Sequence, residues 1–504
     1  MKTLRRFCRR HLADAFNTIH ILPFFPFSSD DGFSVIDYTQ VDPSLGTWED
    51  LEAIGQDFRL MYDFVVNHVS ARSSWVESYL KGEDAFANLA IAVAPDTDLS
   101  GVVRPRDLPL LTPFQQGDGQ AVWLWTTFSA DQVDLNWANP AVLLRMVDVM
   151  LDYVRRGAAI LRLDAIAYLW KTPGTDCIHR PETHLVVKLL RAILDRAAPQ
   201  VVLLTETNVP HEENISYFGD GRNEAQWVYN FTLPPLLLYT LAEADSKVLS
   251  EWASSLKPPS RETTYFNFTA SHDGIGVRPL EGILPDAAID RLVGRTLANG
   301  GRVSMRDGAG GRKAPYELNI TYIDALGEPD KTEDSLLGAR FLAAQSIQFS
   351  LPGVPATYLP SMLGSRNWQE GVEGSGQPRR INRQPLDCEQ VVRELADGHS
   401  FRCKVFQAYR RMASVRRRQP AFGPGAAADV LDLGPSVFAI RRRTAFQTLW
   451  ALTNISAQRQ TVRLDQAPRG LVDLMDAAHL SRDQISLGPY QSRWLSDQTD
   501  AAQP

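Results

Sequence analysis

Three short apolar runs each deliver a carboxylate: AAILRLDA carries Asp164, VVLLTE carries Glu206 and YFNFTASHD carries Asp273. A fourth run, LMYDFVVNH, closes on Asn67 and His68. A strand buried on both faces reads as a continuous apolar stretch. Acids at the ends of several such strands put nucleophilic and acid–base chemistry on the floor of one site. A single aspartate at a strand end is more often an Asx turn or a helix cap. Repetition at several strands, once with His272 beside Asp273, points instead to converging carboxylates. Arg162 stands two residues before Asp164, so both side chains leave the same strand face. A guanidinium there predicts an ionised Asp164, as a nucleophile requires. Glu206 follows a mostly apolar run, and partial burial predicts a raised pKa and a general acid. Two carboxyl groups under opposite pKa pressures suit glycosidic-bond chemistry.

The elements around these acids alternate. TLRRFCRRHLADAF has helical spacing, IHILPFF reads as a buried strand, WEDLEAIGQDF as a helix and LMYDFVVNH as a strand. The alternation stops between about 70 and 140, then resumes with LLRMVDVMLDYVRRG, AILRLDA, VVKLLRAILDRAA, VVLLTE, QWVYNF, LLLYTLAEA and TYFNFTA. A second irregular stretch covers about 274–330. LGARFLAAQSIQFS and GVPATYL then complete an α/β, (β/α)8 barrel. After Pro424, alternating runs such as VLDLGPSVFAIRRR and QTLWALTNIS predict an antiparallel β-domain. The expected division is barrel 1–69, lobe 70–140, barrel 141–273, second lobe 274–330, barrel 331–423 and β-domain 424–504.

The 504 residues are 44% hydrophobic and 22% charged with net charge -7, an ordinary globular composition. No basic stripe with interleaved aromatics argues for nucleic acid. No apolar run is long enough to span a bilayer, and RRFCRR is not followed by the apolar core of a signal peptide. Cys8, Cys177, Cys388 and Cys403 are widely spaced, which predicts a reduced, cytoplasmic chain. The Gly-rich RDGAGGRKA lacks the spacing of a nucleotide-phosphate loop and reads as a mobile active-site loop.

The ordered set DFVVNH, LRLDAIAYL, TETN and SHD resembles the four sequence blocks of glycoside hydrolase family 13, the α-amylase clan. The resemblance implies Asp164 as nucleophile, Glu206 as acid/base and Asp273 as the third carboxylate, which grips sugar hydroxyls. It implies that His68 and His272 bind the donor ring and that Arg162 positions the nucleophile. HILPFFPFSSDDGFSVIDYTQVDPSLGTW, FTLPPLLL, HDGIGV and INR are similar to the sucrose phosphorylase branch. There Asp30 would hold the glucosyl ring, Phe33 would stack on it, and Arg383 would bind donor ring or phosphate. KAPYELN, with Ala314 and Glu317, departs from sucrose-specific members at the fructose site; Tyr316 of this stretch is a substrate-binding candidate. VVRPRDLPLLTPF, LDAIAYLWK, TETNVPHEENISYFGDG and GSRNWQEGVEGSGQPRRINR resemble the glucosylglycerate phosphorylase group. Its aglycone is a small carboxylate, for which Arg104, Arg106, Arg312 and Lys313 are candidate partners.

The resemblance therefore implies a retaining phosphorylase that uses inorganic phosphate as co-substrate, without a cofactor or metal, as a monomer or homodimer. Asn67 is a calcium-ligand position in amylases, but the phosphorylase branch does without the ion. An α-glucosidase, a sucrose or glucosylglycerol phosphorylase and a non-catalytic relative are the competing readings. Relatives also carry a strand before the first helix, whereas this sequence opens directly on that helix, so the first barrel strand is expected to be missing and two sheet edges exposed.

Overall fold

The computed structural model describes residues 1–106, 108–307, 313–328, 334–464, 468, 470–480 and 484–498. Its central sheet has seven parallel strands: β1 (Thr18–Ile21), β2 (Arg59–Val65), β3 (Ala158–Asp164), β4 (Val202–Thr205), β5 (Trp227–Tyr229), β6 (Thr264–Asn267) and β7 (Val354–Pro355). Spatial order follows chain order, so each crossover moves one strand along and the sheet curls. Helices fill the crossovers, among them Trp48–Gly55, Pro140–Arg155, Pro181–Ala197 and Leu233–Glu243. Trp48–Gly55 starts at a capping box of Thr47 and Asp50, and Pro140 opens its helix behind the Asn139 cap.

The two-residue period of the strands sorts side chains into layers. Met61, Ile160, Leu204 and Phe266 form an apolar cluster inside the curl. Asp63, Arg162 and Glu206 lie two residues further along the first three of these chains, at the carboxyl ends. The fold thus places a polar layer directly above an apolar floor.

Among the described residues the sheet does not close. β1 and β7 are its edges, separated by a cavity of about 630 Å³ lined by apolar groups including Leu4, Ile19, Met61, Phe266 and Val354. GVPATYL forms a strand only at Val354–Pro355, where the ladder to β6 covers two residues. Among the described residues the sheet has seven strands, where a closed (β/α)8 barrel has eight.

Between β2 and β3, a hairpin pairs Leu111–Gln115 with Ala121–Trp125, and His68–Ser70 pairs with Gln132–Asp134. The stretch read as irregular, 274–330, is more ordered than its composition indicated. It holds the helix Asp286–Ala298 and a three-stranded antiparallel sheet of Ile275–Gly276, Lys313–Asn319 and Arg302–Asp307. The Gly-rich loop, residues 308–312 with Arg312, lies outside the described residues. The C-terminal part is a six-stranded antiparallel sheet with a separate two-stranded ribbon. It docks on the helix Asp334–Ser350 through buried polar contacts: Trp494 Nε1 donates to Ser346 Oγ at 3.0 Å and Arg442 Nη1 to the Ser350 carbonyl at 2.9 Å. All four cysteines are unpaired.

Candidate active site

The parallel register sets Asp63 of β2 opposite Arg162 of β3, and Val65 opposite Asp164. Arg162, 2% exposed, donates to Asp63 at 2.5 Å and to Asp164 at 2.6 Å, and lies 3.9 Å from Glu206. Asp63 also meets His20 Nε2 at 2.7 Å. One guanidinium therefore serves two buried acids. The net shift of Asp164 is upward. Burial raises its pKa, and Arg162 and His68 only partly offset that. Splitting one cation between Asp63 and Asp164 leaves desolvation the larger effect.

Glu206 follows β4, and its Oε2 accepts the Ala165 N–H at 3.0 Å. Ala165 stands in the left-handed region, with φ of 51°. A non-glycine residue there is strained, and the strain aims the amide after Asp164 at Glu206. Burial drives Glu206 up to about 7, with Asp164 and Asp273 adding to the rise and Arg162 opposing it. The two acids titrate as a pair, and Glu206 keeps the proton. Asp273 goes the other way. Burial would raise it, but Arg379 at 2.8 Å, His272 at 3.2 Å and Arg383 at 3.4 Å hold it well below the usual carboxylate range. Glu206 thus rises and Asp273 falls within one cluster, and Glu206 feels the charges of both Asp164 and Asp273.

The remaining sequence candidates divide. His68 is buried; its Nε2 lies 2.9 Å from the Phe33 carbonyl and its Nδ1 3.3 Å from Asn67 Nδ2. That fits an Nε2–H tautomer donating to the carbonyl. His272 is driven to about 3 by burial, so it is neutral at ordinary pH. Phe33 stacks on His272, with centroids 4.8 Å apart and planes 6° from parallel, so this ring contact is made within the protein. Asp30 and Asp31 both have positive φ and are clamped by arginines. Arg106 reaches Asp30 at 3.0 Å, Arg380 reaches Asp31 at 2.6 Å and Arg383 reaches Asp31 at 2.8 Å. Against the effect of burial, Arg106, Arg379 and Arg383 bring Asp30 down to about 2. Tyr316 is buried, and its carbonyl accepts the Val277 N–H at 3.0 Å. Arg104 is half-buried and carries no side-chain hydrogen bond or ion pair among the described residues. Lys313 is exposed on its strand.

Sequence reasoning passed over four groups. Asp63 was read only as part of a block. Arg379 clasps Glu317 through Nε at 2.9 Å and Nη2 at 2.6 Å while holding Asp273. Lys171 is 1% exposed and joins Asp134 at 2.5 Å to Asn67 at 2.6 Å. Arg278 stands beside the loops that follow the acids. The crowding of arginines in QPRRINR was the one available signal for Arg379.

The family described as alpha amylase, catalytic domain, matches residues 15–273. The chain belongs to the α-amylase family, glycoside hydrolase family 13. Within this family it is 47% identical to a glucosylglycerate phosphorylase of Spirochaeta thermophila, covering 99% of this chain and 87% of that one. It is 45% identical to a glucosylglycerate phosphorylase of Escherichia coli K12, covering 98% and 88%. Its backbone matches the crystal structure of sucrose 6F-phosphate phosphorylase from Thermoanaerobacter thermosaccharolyticum with a TM-score of 0.81 and 25% identity, over 95% of this chain and 94% of that one. The calcium position of family-13 amylases is refuted here by its neighbour. The Lys171 ammonium bonds Asn67 Oδ1 and Asp134 Oδ2, so a cation already serves both oxygens and a metal ion does not fit. No group of three or more metal-ligating side chains occurs among the described residues, and no helix there is long and apolar enough to cross a membrane.

Proposed function

We propose that the chain is a glucosylglycerate phosphorylase, transferring an α-glucosyl group from 2-O-α-glucosyl-D-glycerate to inorganic phosphate with retention. The observation that carries the chemistry is Glu206 at about 7, bonded to the amide next to Asp164 in one buried cluster. The aglycone is supported by the identity of 45–47% over nearly the whole chain to enzymes of that name.

Asp164 attacks the anomeric carbon from the β face, opposite the departing group, while Glu206 gives its proton to the departing glycerate oxygen. A β-glucosyl ester of Asp164 forms and Asp273 holds ring hydroxyls as positive charge develops. Phosphate then attacks the same carbon, Asp164 leaves, and Glu206 takes the proton or is reset by the acidic phosphate. The product is α-glucose 1-phosphate. Asp30 and Arg383 close around the glucosyl ring, and His68 and His272 serve it as neutral hydrogen-bonding groups. Segments 70–140 and 274–330 act as lobes over the mouth of the barrel. The enzyme works in the cytoplasm as a monomer or homodimer and needs no cofactor.

The test is phosphate release from α-glucose 1-phosphate with D-glycerate, glycerol, fructose and fructose 6-phosphate as acceptors. D-glycerate is expected to be preferred; activity confined to fructose or to water overturns this assignment.

A further inference from the structure

A phosphorylase that takes a charged aglycone needs a cation on the leaving-group side that the fold has not already consumed. Five guanidiniums around the acids are committed. Arg106, Arg162, Arg379, Arg380 and Arg383 each hold a carboxylate of the protein at 3.0 Å or less. Arg278 does not. Its side chain is 12% exposed, yet its one ion pair among the described residues is long, 3.6 Å from Nη2 to Glu213. Its Nε is buried without a partner. A buried donor left unmatched costs free energy unless something outside the chain supplies the acceptor.

Its position is set by all three catalytic segments. Arg278 lies five residues after Asp273, just past the short strand Ile275–Gly276, and the neighbouring Val277 N–H is bonded to the Tyr316 carbonyl. Glu213, its long-range partner, sits on the helix that follows Glu206. Tyr168, four residues after Asp164, feels the Arg278 charge: burial takes the phenol up to about 12 while Arg278 pulls against it. Asn208, two residues after Glu206, packs against Gly276 and carries a second buried polar atom, Oδ1, with no partner. Unmatched polar atoms thus gather where the segments after Asp164, Glu206 and Asp273 meet, on the side of the acid/base.

We propose that Arg278 is the specificity residue for the aglycone, its guanidinium clasping the carboxylate of the departing 2-hydroxy acid. This rests on the phosphorylase assignment above and extends it to a residue. The planar fork fits a carboxylate bidentately. Glu213, at 3.6 Å, keeps the guanidinium loosely occupied until the stronger partner arrives. Arg104, which has no ion pair among the described residues, belongs to the lobe of residues 70–140.

The experiment measures kcat/KM for glucosyl transfer from α-glucose 1-phosphate to D-glycerate and to glycerol, which lacks the carboxylate, and reads their ratio. In Arg278→Gln the glycerate-to-glycerol ratio is expected to fall roughly 10–100-fold, the worth of a charge-assisted bidentate pair. Arg278→Lys should fall between, since a point charge keeps attraction without the fork. Glu213→Gln leaves Arg278 in place, removes its competitor and should lower the KM for D-glycerate about 2–5-fold; this arm decides the matter if Arg278 variants do not fold. An undiminished ratio in Arg278→Gln, its collapse in Arg104→Gln instead, or an unmoved glycerate KM in Glu213→Gln overturns the assignment of Arg278. A wild-type enzyme that ignores D-glycerate removes the phosphorylase reading itself.

Discussion

The proposed glucosyl side and the proposed aglycone side of the site are built on different terms. On the glucosyl side every charge has a partner: Asp273 with Arg379, Asp30 with Arg106, Asp31 with Arg380 and Arg383, Asp63 with Arg162. These pairs are anchored to strand ends and to a strained turn at Asp30 and Asp31. On the aglycone side Arg278 has one weak ion pair, and Asn208 has an unmatched oxygen. The difference teaches where change is cheap. Altering a member of a closed ionic network leaves another buried charge uncompensated. Altering Arg278 disturbs only a long ion pair to Glu213, so under the proposed role its loss falls mainly on the aglycone. On this reading the chemistry is locked into the barrel, while acceptor choice is proposed to sit on loops that can vary around it.

The sharpest break on the glucosyl side is Asp164→Asn, which removes the attacking oxygen. Turnover with every acceptor should fall roughly ten-thousand-fold or more. A residual rate within about a factor of ten of wild type would refute the nucleophile. Lys171→Met comes next. It strands Asp134 without its buried cation, and unfolding in denaturant should show a loss of about 3–5 kcal/mol; a change below ~1 kcal/mol would mean the pair is not closed as described.

Arg379→Met should cut kcat roughly 10–100-fold for glycerate and glycerol alike, because it disturbs the acid that serves the common glucosyl ring. It also sharpens the contrast through pH. Asp273 acts ionised, and activity is lost as pH falls through its folded-state pKa, which Arg379 keeps far below the carboxylate range. Without Arg379 that acid limb should move up into the measurable range of the kcat/KM profile. A selective loss with glycerate would place Arg379 on the wrong side of the comparison.

The smallest effect concerns stability. Glu206 has its pKa raised from 4.5 to about 7, chiefly by burial. An acid with a raised folded-state value is destabilising once ionised: the cost is absent below pH 4.5 and builds as pH rises to about 7. Glu206→Gln should therefore lose activity yet gain on the order of 1–3 kcal/mol at pH 8, and nothing at pH 4. Equal melting temperatures of the two proteins at pH 8 would contradict the burial cost.

Strand positions and the acids they carry were legible because both are local. A continuous apolar run marks a buried strand, and a two-residue period puts Arg162 and Asp164 on one face whatever the rest of the chain does. The ordered helix and sheet within 274–330 were not legible, since the short strand Ile275–Gly276 draws its pairing from residues more than 40 positions away. The strand GVPATYL was overread for a related reason: its ladder ends where β7 becomes an edge, and an edge is a property of the sheet.

The sequence by itself determined the reaction class: carboxylates at the ends of several parallel strands, with a guanidinium beside one of them. Only the tertiary structure decided how the charges are shared. Arg383 and Asp31 meet across more than 350 positions, and Arg162 divides itself between Asp63 and Asp164, so burial raises Asp164 in pKa although a guanidinium stands beside it. Pairing energies depend on distance and burial, and both are set by folding together segments whose separation along the chain carries no trace of their contact.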